Sequence, residues 1–486
     1  MSITPARASL PRPAHGPYGS GMRPTTAQGA RTPAAPAGSF PVPRDPMAWG
    51  LALINRLAGS RRLDRLGLRP RAERAAYHAT RTGMGTAAAI SRTFAAATKL
   101  TGPQRPASAP RADLFDLTPT EDQRMLVDVV RQFADEQVRP VADAADRASK
   151  APDEILATAV ELGIWQVAVP QSLGGFSEHR SPVTGVLVTE ALATGDLGLA
   201  VALLAPGAVS TALSLWGDAD QQATYLPSFL GNAPPRAALA VLEPRPLFDP
   251  FRLETRAVRQ GDDYVLNGVK SLVPAAAWAE LFLVAAVLDD ASVIGGDPVP
   301  ALFVVESGTP GLTVRPEPAM GLRAAETAQL GLGGVRLPAA ARLGGPDGDP
   351  GAYADCIRLS RLGWCALAIG AGQAVLDYVI PYVNDREAFG EPISHRQGVA
   401  FMVADLATEL DGMRLATYRA AARAEQGLDF ARETALARRL CGDYGAAIGS
   451  DGIQLLGGHG YVRDHPVERW YRDLRAVGLM EGVVLV

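Results

Sequence analysis

The spacing of apolar residues changes along this chain, and the changes divide it. Over 115–235 apolar positions recur every three or four residues, with Met125, Leu126, Val129, Val130 and Phe133 on one helical face. Thr118-Pro119-Thr120-Glu121 reads as a capping box opening that helix, with Thr118 as the cap, proline at the first helical position and Glu121 reaching back. Helical pattern broken by Pro170 and Gly174-Gly175 runs on to about 230. Over 236–350 the pattern changes to short strands: 236–242, 253–258, 263–266, 281–288 and 301–305, punctuated by proline and glycine, with Asn267-Gly268 as a tight turn. From 351 helices return. One covers 359–382, and another starts near Gln397 and passes Arg419, with Met402, Leu406, Leu410 and Met413 on one face. Helices, then strands, then helices predict an α+β fold in three parts: an N-terminal helical domain (115–235), a central β-domain (236–350) and a C-terminal helical domain (351–486).

Composition changes the picture mainly before residue 115. Residues 1–45 are dense in Pro, Gly, Ser and Thr, cannot bury enough apolar area to offset ordering entropy, and read as disordered. Residues 46–114 carry helical pattern, with Trp49, Leu51, Ile54 and Leu57 followed by Arg61, Arg62 and Arg65. An accessory helical extension fits this, and so does peripheral contact with an anionic membrane. The Arg-rich, acid-poor character is shared by organellar transit peptides, and no secretory apolar core is seen. The whole chain, 486 residues with net charge −4 and 47% hydrophobic, has room for more than one core and gives no reason to expect a nucleic-acid partner. The apolar run 362–380 contains Gly370, Gly372, Gln373 and Asp377, which suits a buried helix better than a membrane span. Cys356, Cys365 and Cys441 form no CxxC pair and read as small buried hydrophobes of a reducing compartment. The cytoplasm is expected, with the mitochondrial matrix or a membrane surface as alternatives. The histidines have no metal-ligand spacing, His395 is expected at the surface, and neither a P-loop nor a Ser-His-Asp triad is read.

Several motifs stand in register over 115–482. Ala168-Val169-Pro170 precedes Gly174-Gly175; Leu242-Glu243-Pro244 is followed by Asp249, Thr255 and Ala257; then comes Gly261-Asp262-Asp263-Tyr264-Val265-Leu266-Asn267-Gly268-Val269-Lys270. Asp385-Arg386-Glu387-Ala388-Phe389-Gly390 leads to Gln397, and Gln454-Leu455-Leu456-Gly457-Gly458-His459-Gly460-Tyr461 to Glu468-Arg469-Trp470-Tyr471-Arg472-Asp473 and Glu481-Gly482. Together they resemble the flavin-dependent acyl-CoA dehydrogenase family. The resemblance implies that family's fold, with a C-terminal four-helix bundle, and α,β-dehydrogenation of an acyl-CoA thioester in fatty-acid or related catabolism. It also implies FAD as cofactor and electron-transfer flavoprotein as acceptor.

Glu481 matches the carboxylate that takes the α-proton. Such a base must be desolvated to gain proton affinity, while the developing enolate oxygen needs hydrogen-bond donors. Members that carry the base on the helix near 359 keep it just before an arginine; here that position is Ser360, before Arg361, and a hydroxyl cannot serve. Arg361 matches a substrate-contacting arginine, though an ion-pair role is equally open. Arg386, Phe389 and Gln397 resemble residues that grip the neighbouring subunit's FAD, an arginine fork suiting phosphate oxygens. Gln454, Gly457 and Gly458 resemble the second part of that grip, where bare backbone approaches the dinucleotide. A homodimer or homotetramer follows. His459 reads as a site-edge side chain, and Arg472 and Asp473 as ties from the last helix to its neighbours.

The flavin-facing positions depart from the family. Leu242, Phe248, Leu272 and Pro274 stand where it keeps polar or aromatic contacts, and Val483-Val484-Leu485 follow Glu481-Gly482. Each hydrogen bond lost costs about 0.5–1.5 kcal/mol. Two alternatives follow: a flavin-poor subunit of a hetero-oligomer, or a non-catalytic acyl-CoA-binding scaffold.

Overall fold

The computed structural model describes residues 117–486 except 167–168, 176–179, 232, 290–298 and 346–347. The expectations for 1–45 and 46–114, and Ala168 of the first motif, lie outside the described residues.

The first helix among the described residues, α1 (Glu121–Phe133), begins two residues later than expected. Thr120 is its cap: its hydroxyl accepts from Gln123 N at 3.2 Å, and the Gln123 side chain accepts from Thr120 N at 2.9 Å. Both threonines satisfy the box spacing. The Thr120 frame puts Glu121 and Asp122 into the first turn, where the helix dipole favours negative charge. One π-turn (Ala134–Val138) joins α1 to α2 (Arg139–Ala148). After α3 (Asp153–Glu161) come α4 (Pro182–Ala193), α5 (Leu197–Trp216) and α6 (Ala219–Phe229), capped by Ser181, Asp196 and Asp218.

The middle of the chain is one sheet: β1 (Ala237–Ala240), β2 (Arg256–Gln260), β3 (Asp263–Val273), β4 (Leu281–Asp289), β5 (Val299–Glu306), β6 (Leu312–Pro316) and β7 (Ala328–Pro338). The order is β1-β4-β2-β3-β7-β6, with β5 paired to β4. β1 and β2 run parallel to β4 and share one of its edges; the other pairs are antiparallel. β1 is buried throughout, since Ala237 and Leu239 enter the large interdomain core while Ala238 and Ala240 enter the sheet's own core.

Asn267-Gly268 is not a turn. β3 runs straight through it with a bulge after Leu266, and the β2–β3 reversal lies instead at Gly261, φ +65°. The Asn267 side chain accepts from Gly334 N at 2.9 Å, and a Cβ on Gly268 would lie 2.5 Å from Thr255 Oγ1. That residue pair serves close strand packing.

α7 (Ala352–Asp385) leads into the hairpin β8 (Glu387–Ala388) and β9 (Glu391–Pro392), then α8 (Gln397–Glu425), α9 (Ala431–Leu456) and α10 (Val467–Leu474). α7, α8 and α9 pack on one another, the fourth helix of the domain is only a short piece, and α4 also leans on α7 and α8. Gly370 permits the α4–α7 approach, because a Cβ there would sit 2.2 Å from Glu190 O. Glu190, buried on α4, accepts from Arg414 Nε at 2.9 Å and Tyr418 OH at 2.8 Å, both on α8. α5 and α7 are long and apolar enough to cross a membrane, yet 89% and 67% of their most apolar stretches are buried inside the protein, as core helices require. All three cysteines are buried and free; burial pushes the Cys356 and Cys441 thiols up, away from nucleophilic use.

Arg472 and Asp473 tie α10 to its neighbours. Arg472 forks onto Asp146 at 2.8 and 2.9 Å, and Asp473 accepts from Leu322 N at 2.6 Å. Asp196 caps α5 and accepts from Arg469 Nε at 2.8 Å. The Asp196 and Asp473 carboxyls both face Gly198. Burial, then repulsion from Asp196, pushes the Asp473 carboxyl up to about 8. The folded state therefore keeps a proton that the unfolded chain, near 3.9, gives up. That contribution to stability is full below the unfolded value and is lost as pH rises towards 8. The urea midpoint of the wild type is expected to fall between pH 5 and 8, and Asp473→Asn to fall less steeply.

Candidate active site

Glu481 lies in the irregular segment after α10, held to α7 by its chain neighbours. The Gly482 carbonyl accepts from Ser360 Oγ and, at 2.9 Å, from Trp364 Nε1. Gly482 has φ +78°, and Val241 and Leu239 fill the space a side chain would take. The adjoining carboxylate is 8% exposed and clamped by Arg361, whose Nε stands 3.0 Å from both oxygens and whose Nη2 is 2.7 Å from Oε1. Of the two roles open to Arg361, the structure therefore displays the ion pair. Burial acts against the Arg361 charge, but bonding to Glu481 holds the guanidinium above its ordinary value. Arg361 also lies over the Phe251 ring, 6.0 Å from its centroid; Phe251 in turn meets Tyr353 edge-on.

Sequence reasoning missed a second arginine. Arg438 on α9 donates from Nη2 to Met480 O at 2.6 Å and stands 3.9 Å from Glu481 Oε1, while its buried Nη1 has no hydrogen-bond partner. The signal was present: Arg438 shares the buried stripe of Thr434, Ala437 and Cys441, where a charge is out of place. A further buried pair, Glu243 and Lys270, joins two of the motifs. Glu243 accepts from Glu254 N at 2.7 Å, Thr255 N at 2.9 Å and Lys270 Nζ at 2.9 Å, and Lys270 also donates to Val241 O at 3.1 Å. Burial pushes the Lys270 ammonium down to about 8.

The divergent positions lie where the β-domain meets these elements. Leu242, Phe248 and Leu272 pack partly buried against the large core, and Pro274 is buried. Leu272 has φ +49°; its N–H donates to the Glu317 carboxylate at 2.5 Å, as Ser271 Oγ does at 2.8 Å. A cavity lies beside Leu272, with Thr327 and Met480 in its wall.

Away from Glu481, Arg386, Phe389, Gln454, Gly457 and Gly458 line one open cavity of about 600 Å³. Gln397 does not line it but opens α8 beside Arg396, which does. Phe389 is 97% exposed at φ +57°, with Arg396 5.4 Å from its ring centroid. Gly457 has φ +58°, and beyond their own chain neighbours neither it nor Gly458 has an atom within 4 Å of where a Cβ would be. His459 is at the cavity edge, with Nδ1 2.8 Å from Tyr382 OH. His395 is exposed, and among the described residues no group of His, Cys, Asp and Glu could hold a metal. The cavity fits a dinucleotide: guanidinium groups for phosphates, bare backbone for close approach and an exposed ring for a base. Near Leu272 the fit is through apolar faces, which suit a flat aromatic ring more than its polar edge.

Residues 120–232, 238–335 and 352–484 match the models for the acyl-CoA dehydrogenase N-terminal, middle and C-terminal domains. The rat mitochondrial short/branched chain specific acyl-CoA dehydrogenase is 34% identical over 366 residues, 75% of this chain and 83% of that protein. Butyryl-CoA dehydrogenase from Megasphaera elsdenii superimposes with a TM-score of 0.69 at 26% identity, over 76% of this chain and 96% of that one. A glutaryl-CoA dehydrogenase of Mycobacterium smegmatis in complex with FADH2 gives 0.67 at 26% identity, over 75% and 92%.

Proposed function

The chain belongs to the acyl-CoA dehydrogenase family, FAD-dependent oxidoreductases that dehydrogenate acyl-CoA substrates, and we propose that Glu481 is the base taking the α-proton of a saturated acyl-CoA. The carrying observation is a buried carboxylate whose backbone is pinned to α7 through Ser360 and Trp364. FAD, when bound, supplies the acceptor for the hydride leaving the β-carbon. The chain's part is to fix the carboxylate, keep water from it and offer the Glu481 backbone N–H to the thioester oxygen. The product is the 2-enoyl-CoA, made in fatty-acid or related acyl-CoA catabolism, with an electron-transfer flavoprotein as acceptor.

Arg386, Phe389, Gln397, Gln454, Gly457 and Gly458 hold a neighbouring subunit's FAD in this reading, so the protein works as a homodimer or homotetramer. Phe401 and Leu415 on α8 and Leu436 on α9, each half exposed or more, suit such an interface. Arg386→Ala is expected to weaken FAD binding about tenfold to a hundredfold, the loss of a charge-assisted hydrogen bond. Flavin-fluorescence titration of the stripped protein measures it, and unchanged affinity would remove Arg386 from the grip.

One observation favours a second reading, a flavin-poor subunit of a hetero-oligomer: Glu317 already takes the Leu272 N–H and the Ser271 hydroxyl, and Pro274 has no N–H to give. Protein that is colourless alone but yellow when co-expressed with a related subunit would select it.

A further inference from the structure

Resting on the assignment of Glu481 as base, we infer that Arg361 is a latch that must leave the carboxylate before chemistry, and that Arg438 is the positioning residue that keeps the carboxylate in place once it has left. In the structure Arg361 donates to both carboxylate oxygens from one side, at 2.7 to 3.0 Å. A carboxylate gripped in this way is a poor acceptor for a C–H proton. Protonating it would leave two guanidinium charges facing a neutral acid, and neither can be relieved by deprotonation.

The two arginines differ in freedom. The Arg361 side chain is 23% exposed and lies beside the Phe251 ring, so water or substrate can receive it. Arg438 is deeper, fixed by its bond to Met480 O in the residue before the base. Its Nη1 points at no acceptor, and its Nη2 stands 3.9 Å from Oε1, just short of a hydrogen bond. When Arg361 swings away, a small shift of the carboxylate towards α9 gives Arg438 that bond and leaves the other oxygen for the α-proton. The proton passes from the α-carbon to that oxygen, and the carbon's electron pair stays with the thioester. Around the carboxylate stand Arg361 and Tyr353 from α7 and Arg438 from α9, with Glu243 acting on Tyr353, Asp249 on Arg361, and Cys365 and Cys441 on Arg438.

The test uses FAD-loaded enzyme and the acyl-CoA it turns over fastest among butyryl- to palmitoyl-CoA. With the latch gone the carboxylate is free without waiting on the guanidinium, so Arg361→Gln is expected to raise the rate of α-proton removal severalfold, and Arg361→Lys to raise it less. Arg438→Gln is expected to lower kcat at least about tenfold with little change in KM, and Arg438→Lys to recover part. A second readout isolates the proton step: in dithionite-reduced enzyme, deuterium from D2O enters the α-position of the thioester faster with Arg361→Gln and slower with Arg438→Gln. If Arg361→Gln leaves exchange unchanged or slows it, the latch is wrong while the base stands. If Arg438→Gln and Arg438→Lys both match wild type in kcat and exchange, the positioning role is wrong. Full activity in Glu481→Gln would instead remove the base assignment beneath both.

Discussion

Glu481→Gln is expected to lower turnover by about a hundredfold to ten-thousandfold, the usual weight of a positioned general base, in protein that still folds. Glutamine keeps the shape and one acceptor oxygen for the Arg361 fork, so the site is not emptied. What it loses is the ability to take a proton from carbon. Arg361, partly exposed, regains water when the charge opposite it is removed, which limits the effect on stability. The side chain's two possible jobs therefore separate cleanly. A base gives a large loss of kcat; a mere ion-pair partner leaves kcat nearly unchanged.

The largest stability effect belongs to Lys270. Its ammonium is fully buried on β3, bonded to the Glu243 carboxylate and the Val241 carbonyl. Glu243 in turn organises the segment after β1 by accepting the Glu254 and Thr255 N–H groups. Lys270→Met strands a buried carboxylate and is expected to cost about 3–5 kcal/mol. Thermal and urea unfolding measure this. Glu243→Gln combined with Lys270→Met should cost less than the sum of the two single changes, because no buried charge is then left alone. Because Val241 also packs on Gly482, Lys270→Met is expected to loosen the Glu481 segment too.

The three-part order was legible because the apolar period changes from helical to strand-like and back, and every expected strand overlaps an observed one. β6 and β7 were missed since Gly331, Gly333 and Gly334 make β7 look like a loop; in the sheet, Thr313 lies where a side chain on Gly331 would be. Asn267-Gly268 misled for a related reason: its local turn propensity lost to cross-strand packing against Thr255 and to the bond with Gly334. Glu481 was legible only through the motif upstream of it. Its clamp comes from α7 and α9, far away in the chain, and no local pattern announces such a contact. Arg386, Phe389, Gln454 and the two glycines converge as the motifs implied, while the donors already engaged by Glu317 were invisible without coordinates.

The most direct test of the account is anaerobic addition of acyl-CoA thioesters, butyryl to palmitoyl, to FAD-loaded protein while the visible absorbance of the oxidised flavin is followed. At least one thioester should bleach it rapidly in the wild type and at least about a hundredfold more slowly in Glu481→Gln. A wild-type flavin that stays oxidised with every thioester, or a Glu481→Gln variant that bleaches as fast, would contradict the proposed function.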